Sequence, residues 1–491
     1  MSGAQERFDV IVVGAGSTGG VLAARLSEDP GRSVLLLEAG PDFPDEETRP
    51  PGFFSGGSVS GHHGTGSGAP VPQLDWGYRT EPLADGRRVP LSRGKFVGGT
   101  SMINGCIAVR GRPEDFERWV AAGAAGWGWQ EVLPYYEKAE REVSIRTYPP
   151  ERWLPSQHLF VEGCRQLGFR YLDDLNAPDA WDGVVGPWPR NRRNEIRQGT
   201  LVTYIRAARR RPNFTLRPGA MVDRVVFEGD RATGVRYLDA AGRPVEVRAD
   251  RVVLSAGAYG SAPILLRSGV GPADELRALD ITPRVDLPVG RDLMDHPGLS
   301  FVLSADPEYV RMGWPSLAVA GRGAGWWGIP ATYDEQEGLI ALSFFLALVE
   351  GPGGSVRLRS AAPDADPVIR HDYIQAVERG DFDGVWADFQ RLLGTDAYRA
   401  AHVTDTGAGQ PVRERLRGSV RTGTHPAGGC GIGKVVGADL AVLGLAGLYV
   451  ADASVFPSHV TNNPNLTCYM IGEYAADKLA AAAPAGARAL V

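Results

Sequence analysis

Residues 8–40, FDVIVVGAGSTGGVLAARLSEDPGRSVLLLEAG, constrain the fold of this 491-residue chain more than any other stretch. The apolar run 8–13, β-branched in character, reads as a buried strand, and 33–40 reads as a second one carrying Glu38. Between them Gly14, Gly16 and Gly19 open a helical pattern. A lone GxGxxG is weak evidence, but strand, glycine turn, helix, strand and acid in that order form a dinucleotide-binding fingerprint. Gly14 makes the tight turn, Gly16 lets the main chain approach a pyrophosphate, and Gly19 lets helix and strand pack closely. The helix N-terminus faces the phosphates. Glu38, 24 residues after Gly14, is placed to accept hydrogen bonds from a ribose diol, which disfavours a 2′-phosphate there.

A chain of this length exceeds one simple core, so two or three domains are expected. A strand cluster over 214–257 reads as a β-meander returning to the first sheet, because VVLSAG is again a buried strand running into glycine. Helices are predicted over 130–145, 198–211 and 468–482, a strand and its exit over 448–456, and a polar turn over 458–467. The stretch 53–70 is a glycine–serine loop, a candidate lid, in which His62 and His63 read as exposed residues. A second glycine-dense segment, 94–111, suggests main chain lying against another part of the same extended ligand. Between 300 and 420 the pattern is less regular and aromatic-rich (Trp314, Trp326, Trp327, Phe344, Phe345), as core or as the wall of a substrate cavity.

The net charge of -6 gives no reason to expect nucleic acid or an anionic membrane as partner. The arginine runs 190–193 and 206–212 read as solvated helix faces. The start of the chain does not read as a signal peptide, and no apolar run reaches the roughly 18 residues of a membrane span. Cys106, Cys164, Cys430 and Cys468 are widely spaced with no CxxC pair, which argues against a disulfide framework or a zinc site. A reducing, cytoplasmic setting and no metal are expected.

THPAGGC (424–430) places one of only eight histidines between a threonine and a proline, ahead of a glycine pair. Taken alone His425 reads first as a packing residue, ahead of a base or a metal ligand beside Cys430; the metal reading lacks further ligands nearby. Asn463, before Pro464 and a helical run, reads as a helix N-cap with proline at the first helical position.

Several segments, in order along nearly the whole chain, resemble one family, the glucose–methanol–choline (GMC) flavoprotein oxidoreductases. They are GKFVGGTSMINGCIAVRG (94–111) with its continuation over 115–140, SAGAYGSAPILLRSGVGP (255–272), VGRDLMDHP (289–297), THPAGGCGIG (424–433) and VADASVFPSHVTNNPNLTCYMIGEYAADKL (450–479). The resemblance is weakest over 300–420. It implies an α/β fold, with a Rossmann-like FAD-binding domain interleaved with an α+β substrate-binding domain built on an antiparallel sheet. The FAD-binding domain would comprise 1–45, 90–150, 205–295 and 425–491, and the substrate domain 46–89, 151–204 and 296–424. The nucleotide would be FAD, contacted by Ser17, Thr18, Glu38, Val97, Asn104, Gly105, Ile107, Val222, Asp452, Ala453 and Pro464 besides Gly14, Gly16 and Gly19. Some members attach FAD covalently through a histidine in the first of these segments; here that position is Ile103, so non-covalent FAD is expected.

By the same resemblance His425 is the active-site base and Asn463 its partner, with His459 a structural neighbour. The implied reaction takes a primary or secondary alcohol to an aldehyde or ketone, passing a hydride to flavin N5, with oxygen or another acceptor reoxidising the flavin. Two alternatives share the scaffold: a lyase of the hydroxynitrile-lyase type using the same histidine without net redox, and a redox-inert FAD-binding protein.

Overall fold

The computed structural model describes residues 6–50, 72–180, 183–194, 196–311, 319–321, 325–348 and 353–481. The candidate lid at 53–70, with His62 and His63, and Trp314 lie outside the described residues.

Seven strands form the first sheet. Phe214–Arg217, Val34–Leu37, Arg7–Val13 and Pro244–Leu254 run parallel in that spatial order. Arg231–Leu238 and Met221–Glu228 continue it antiparallel, as the meander predicts. Phe214–Arg217, expected in the same meander, instead forms the opposite edge in parallel with Val34–Leu37. Leu448–Val450 pairs in parallel with the end of Pro244–Leu254. Val34–Leu37 is buried at every position, the mark of a parallel strand covered on both faces. The helix Ser17–Leu26 packs on this sheet and against the C-terminal helix Asn465–Ala481. Their approach is close: a Cβ on Gly472 would lie 2.7 Å from Val21 Cβ.

The second sheet is antiparallel throughout: Trp326–Asp334, Leu339–Leu346 and Pro297–Ser304, with Thr404–Asp405 and Val420–Thr422 both pairing the last of these. Alternation along its strands splits the aromatic residues that the sequence left ambiguous. Trp326, Phe301 and Phe344 point into a core shared with Phe160 and Phe389. Trp327, Ile329 and Phe345 face the other way, against Ile107, Val109 and Trp188. The second sheet's strands all fall within 297–422, one block inserted between the first-sheet strands Pro244–Leu254 and Leu448–Val450, and residues of both sheets line one cavity.

Three local expectations are corrected. The helix predicted over 198–211 is confined to Tyr204–Ala208. Its first part is spent on the glycine turn instead: Thr200 N donates to Ser101 Oγ at 3.0 Å, and Thr200 Oγ1 to the Gly16 carbonyl at 3.3 Å. The run 190–193 is a strand, not a solvated helix face, and Arg190 and Arg192 are buried. The C-terminal helix starts at Asn465, and the Pro464 carbonyl accepts its first bond from Cys468 N at 2.8 Å. Asn463 therefore lies before the cap position, with its side chain used elsewhere.

Candidate active site

At one end of the cavity the geometry is made by main chain. Gly14 adopts φ +100°, and a Cβ there would lie 2.5 Å from the Ser255 carbonyl oxygen. A Cβ on Gly19 would lie 2.0 Å from the Gly14 oxygen, so helix and turn are in contact. Gly16 differs from both, since a Cβ there would meet nothing within 4 Å. Its α-carbon faces open cavity, which is the space a pyrophosphate needs. The helix Ser17–Leu26 has no acidic residue in its first turn, leaving its positive end free for an anion.

Glu38 is buried at this end. Its carboxylate accepts the Ala15 and Gly40 amides, each at 3.0 Å, and burial pushes its pKa up to about 7. Asp452 is buried too; its carboxylate accepts Gly257 N at 2.8 Å, Ser261 Oγ at 2.6 Å and Ser454 N at 2.7 Å.

At the other end the geometry is made by side chains on loops. The Asn463 amide nitrogen lies 2.9 Å from His425 Nε2. His425 Nδ1 lies 3.0 Å from Nδ1 of His296, whose Nε2 lies 2.9 Å from the Val460 carbonyl. Asp295 pins the main chain here: Oδ1 accepts the amides of His296 and His425, each at 2.8 Å. Its Oδ2 accepts the Tyr373 hydroxyl at 2.6 Å and the Thr422 hydroxyl. Burial alone would raise this carboxyl, but attraction to His371 and His425 and the two hydroxyl bonds hold it below the usual range. Withdrawal from solvent lowers His425 to about 3. His425 is thus held neutral at ordinary working pH, with the Asn463 amide nitrogen facing its Nε2.

The turn carrying Asn463 is anchored from a distant helix. Buried Asp115 accepts Thr461 N and Oγ1 at 3.0 and 3.1 Å, and Trp119 Nε1 donates to the Ser458 carbonyl at 2.9 Å. His459 Nε2 meets the main-chain oxygen of His425 at 2.7 Å, so it braces the loop and does not face Asn463's position. The histidine end is walled by Trp327, Phe345, Ile329 and Ile107; the Trp327 ring lies 5.8 Å from that of His425 and stacks on Phe345 at 4.3 Å. Arg93, itself part of the cavity lining, holds the loop by donating from Nη2 to the Thr424 carbonyl at 2.6 Å.

Of the residues expected at the site, Gly14, Gly16, Ser17, Thr18, Glu38, Asn104, Gly105, Ile107, Val222, His425, Asp452, Ala453, Asn463 and Pro464 line this single cavity. Gly19 and Val97 do not: Gly19 packs under the turn, and Val97 is buried with its amide donating to the Pro41 carbonyl at 3.0 Å. Ile103 lines the cavity as well. Sequence reasoning passed over Asp295 and His296, although both stand in VGRDLMDHP, where adjacent Asp-His before a strand was the available signal. It also passed over Arg190 and Arg197, which donate to the Gly105 carbonyl at 2.7 Å and to Asn104 Oδ1 at 2.8 Å. All four cysteines are free and buried, and among the described residues no group of three or more His, Cys, Asp or Glu is arranged to hold a metal. Among the described residues no helix is long and apolar enough to cross a membrane.

Comparison with known proteins bears on the family and the fold. The GMC oxidoreductase family model matches residues 8–298 for its N-terminal part and 351–472 for its C-terminal part. The chain is 32% identical to an oxygen-dependent choline dehydrogenase of Pseudomonas putida, covering 96% of this chain and 94% of that one. Its fold is similar to that of pyridoxine 4-oxidase from Mesorbium loti, with a TM-score of 0.84 and 27% identity over 96% of this chain and 98% of that one. A fungal aryl-alcohol oxidase shares the fold, with a TM-score of 0.81 at 22% identity, over 96% of this chain and 98% of that one.

Proposed function

Because the chain belongs to the GMC oxidoreductase family, whose members bind FAD, we propose that it oxidises a primary or secondary alcohol to the aldehyde or ketone, with His425 as base and Asn463 as its hydrogen-bonding partner. One observation carries this reading. The His425–Asn463 pair, joined at 2.9 Å, faces the cavity whose far end is the glycine turn and Glu38. FAD, when bound, supplies the hydride acceptor. Gly14, Gly16 and the first turn of Ser17–Leu26 would hold its pyrophosphate, Glu38 its ribose, and Asn104–Ile107 its ring end. Ile103 offers no atom for a covalent link, which supports non-covalent binding.

His425 takes the hydroxyl proton at Nε2, and a positioned base of this kind contributes about 10²–10⁴ in rate. The Asn463 amide donates to the same oxygen and steadies the charge that develops there. Trp327, Phe345, Ile329 and Ile107 keep water out and favour an apolar or aryl carbon skeleton next to the carbinol. The two-part division into an FAD domain and an interleaved substrate domain belongs to the same proposal; it is supported by the insertion of the second sheet (297–422) between first-sheet strands and by Leu159 and Phe160 packing into that sheet's core.

The test is the visible spectrum of the anaerobic protein before and after benzyl, aliphatic and sugar alcohols, choline and pyridoxine. Bleaching of the oxidised-flavin band by one class identifies the substrate, and admitting air separates oxidase from dehydrogenase. If no alcohol bleaches the flavin and His425→Ala behaves like wild type, alcohol oxidation is refuted. Turnover of a cyanohydrin without bleaching would identify the lyase instead.

A further inference from the structure

A histidine base works only if the nitrogen facing the substrate carries the lone pair, and the structure contains a device that decides this. Val460 offers a carbonyl, which only accepts, at 2.9 Å from His296 Nε2. That nitrogen must therefore carry the hydrogen. His296 is fully buried, and burial together with the nearby rings of His459 and His425 holds it well below its usual pKa, outweighing the Val460 and Ala347 carbonyls. A neutral ring with hydrogen on Nε2 has its lone pair on Nδ1, and this atom lies 3.0 Å from Nδ1 of His425. The hydrogen between the two rings then belongs to His425 Nδ1, and its Nε2 is bare.

The other side of the ring agrees independently, because the group facing Nε2 is the Asn463 amide nitrogen, a donor that requires a lone pair there. Space for the Nδ1–Nδ1 approach of His296 and His425 is kept by Gly423, where a Cβ would lie 3.0 Å from His296 Cβ and 3.1 Å from His425 Nδ1.

Resting on the alcohol-oxidation reading, we propose that His296 is a positioning residue that fixes His425 in its Nδ1–H tautomer and so turns the basic Nε2 toward the substrate. When Nε2 takes the hydroxyl proton, the imidazolium keeps donating Nδ1–H to His296. The path ends at the Val460 carbonyl, which cannot take a proton onward. The proton is held on the histidine pair and leaves through the cavity once product has gone.

The first test needs no substrate. In FAD-loaded wild-type protein labelled with nitrogen-15 at histidine, with signals assigned by their loss in His425→Gln, His425 should show a protonated Nδ1 and a bare Nε2. Hydrogen on Nε2 would overturn the proposal. The second test compares rates of flavin reduction. His296→Phe removes the acceptor and strands the Nδ1–H tautomer, so the rate should fall about 10- to 100-fold with FAD retained. His296→Asn, whose side-chain oxygen can accept from Nδ1–H, should recover most of that loss. A Phe variant within about threefold of wild type, or an Asn variant as slow as Phe, overturns the proposal. If neither variant loads FAD, the nitrogen-15 result decides alone. A protein that no alcohol reduces but that shows the Nδ1–H tautomer refutes alcohol oxidation and leaves the positioning of His425 standing.

Discussion

The two ends of the cavity are built by opposite means. The glycine-turn end is made of main chain in close approach, with Gly14, Gly16 and Gly19 within six residues and Glu38 on the next strand. The histidine end is made mostly of side chains, from five separate segments: Asp295–His296, Trp327, Phe345, Gly423–His425 and Val460–Asn463. At the first end a substitution fails by collision and backbone strain, so it should cost the whole ligand. At the second it fails by removing one donor or acceptor, so it should cost rate while the ligand stays.

The sharpest way to break that contrast is Gly14→Val. At φ +100° a side chain costs about 1–2 kcal/mol in conformation alone. The 2.5 Å approach to the Ser255 oxygen adds a collision. The protein should purify without flavin and with a lowered melting temperature, read from the 450 nm region and a thermal scan. His425→Ala should do the reverse, keeping full flavin content while its reduction slows by about 10²–10⁴. If His425→Ala also lost its flavin, the two ends would not be separable.

Glu38→Gln probes an ionised group at the main-chain end. FAD affinity should weaken about 10- to 100-fold at pH 8, where a charged acceptor is replaced by a neutral one. The apoprotein should gain stability at the same pH. Glu38 is raised to about 7 by burial, so the folded state binds the extra proton between the ordinary carboxyl value of 4.5 and 7. That contribution is lost as pH rises through this window. Titration of FAD into apoprotein and thermal scans of both proteins check the pair of effects.

The smallest expected effect is in pH dependence. His425 at about 3 and His371 at about 4 are both lowered by burial, so the unfolded chain binds more protons than the folded one between these values and 6.5. The stability they contribute is therefore present above 6.5 and lost as pH falls toward 4. Flavin reduction should show no step near 6.5. A clear step there, removed in His425→Asn, would mean the base is not held neutral as its burial implies.

The same contrast explains what could be read in advance. The βαβ fingerprint is local: turn, close approach and acid fall within 25 consecutive positions (14–38), so spacing alone places them in the fold. The length and period of the apolar runs also placed the meander and the C-terminal helix to within a few residues. The arginines at 190 and 192 were misread because a run of charges looks solvated, whereas these project from a buried strand behind the ring end of the cavity. Thr200 broke the helix expected over 198–211 because a tertiary contact to the glycine turn outweighed helix propensity.

By itself, then, the sequence determined the dinucleotide turn, the parallel sheet around it and, through family resemblance, which histidine and asparagine to watch. Only the tertiary structure decided that Asn463 spends its side chain on His425 instead of capping a helix, that Trp327 faces the cavity while Trp326 does not, and that His296 stands behind the base. The physical reason is range. Turn geometry and strand pattern are set by neighbours a few residues away. The protonated nitrogen of an imidazole is set by whichever acceptor the fold brings to its other side, here a residue 129 positions distant.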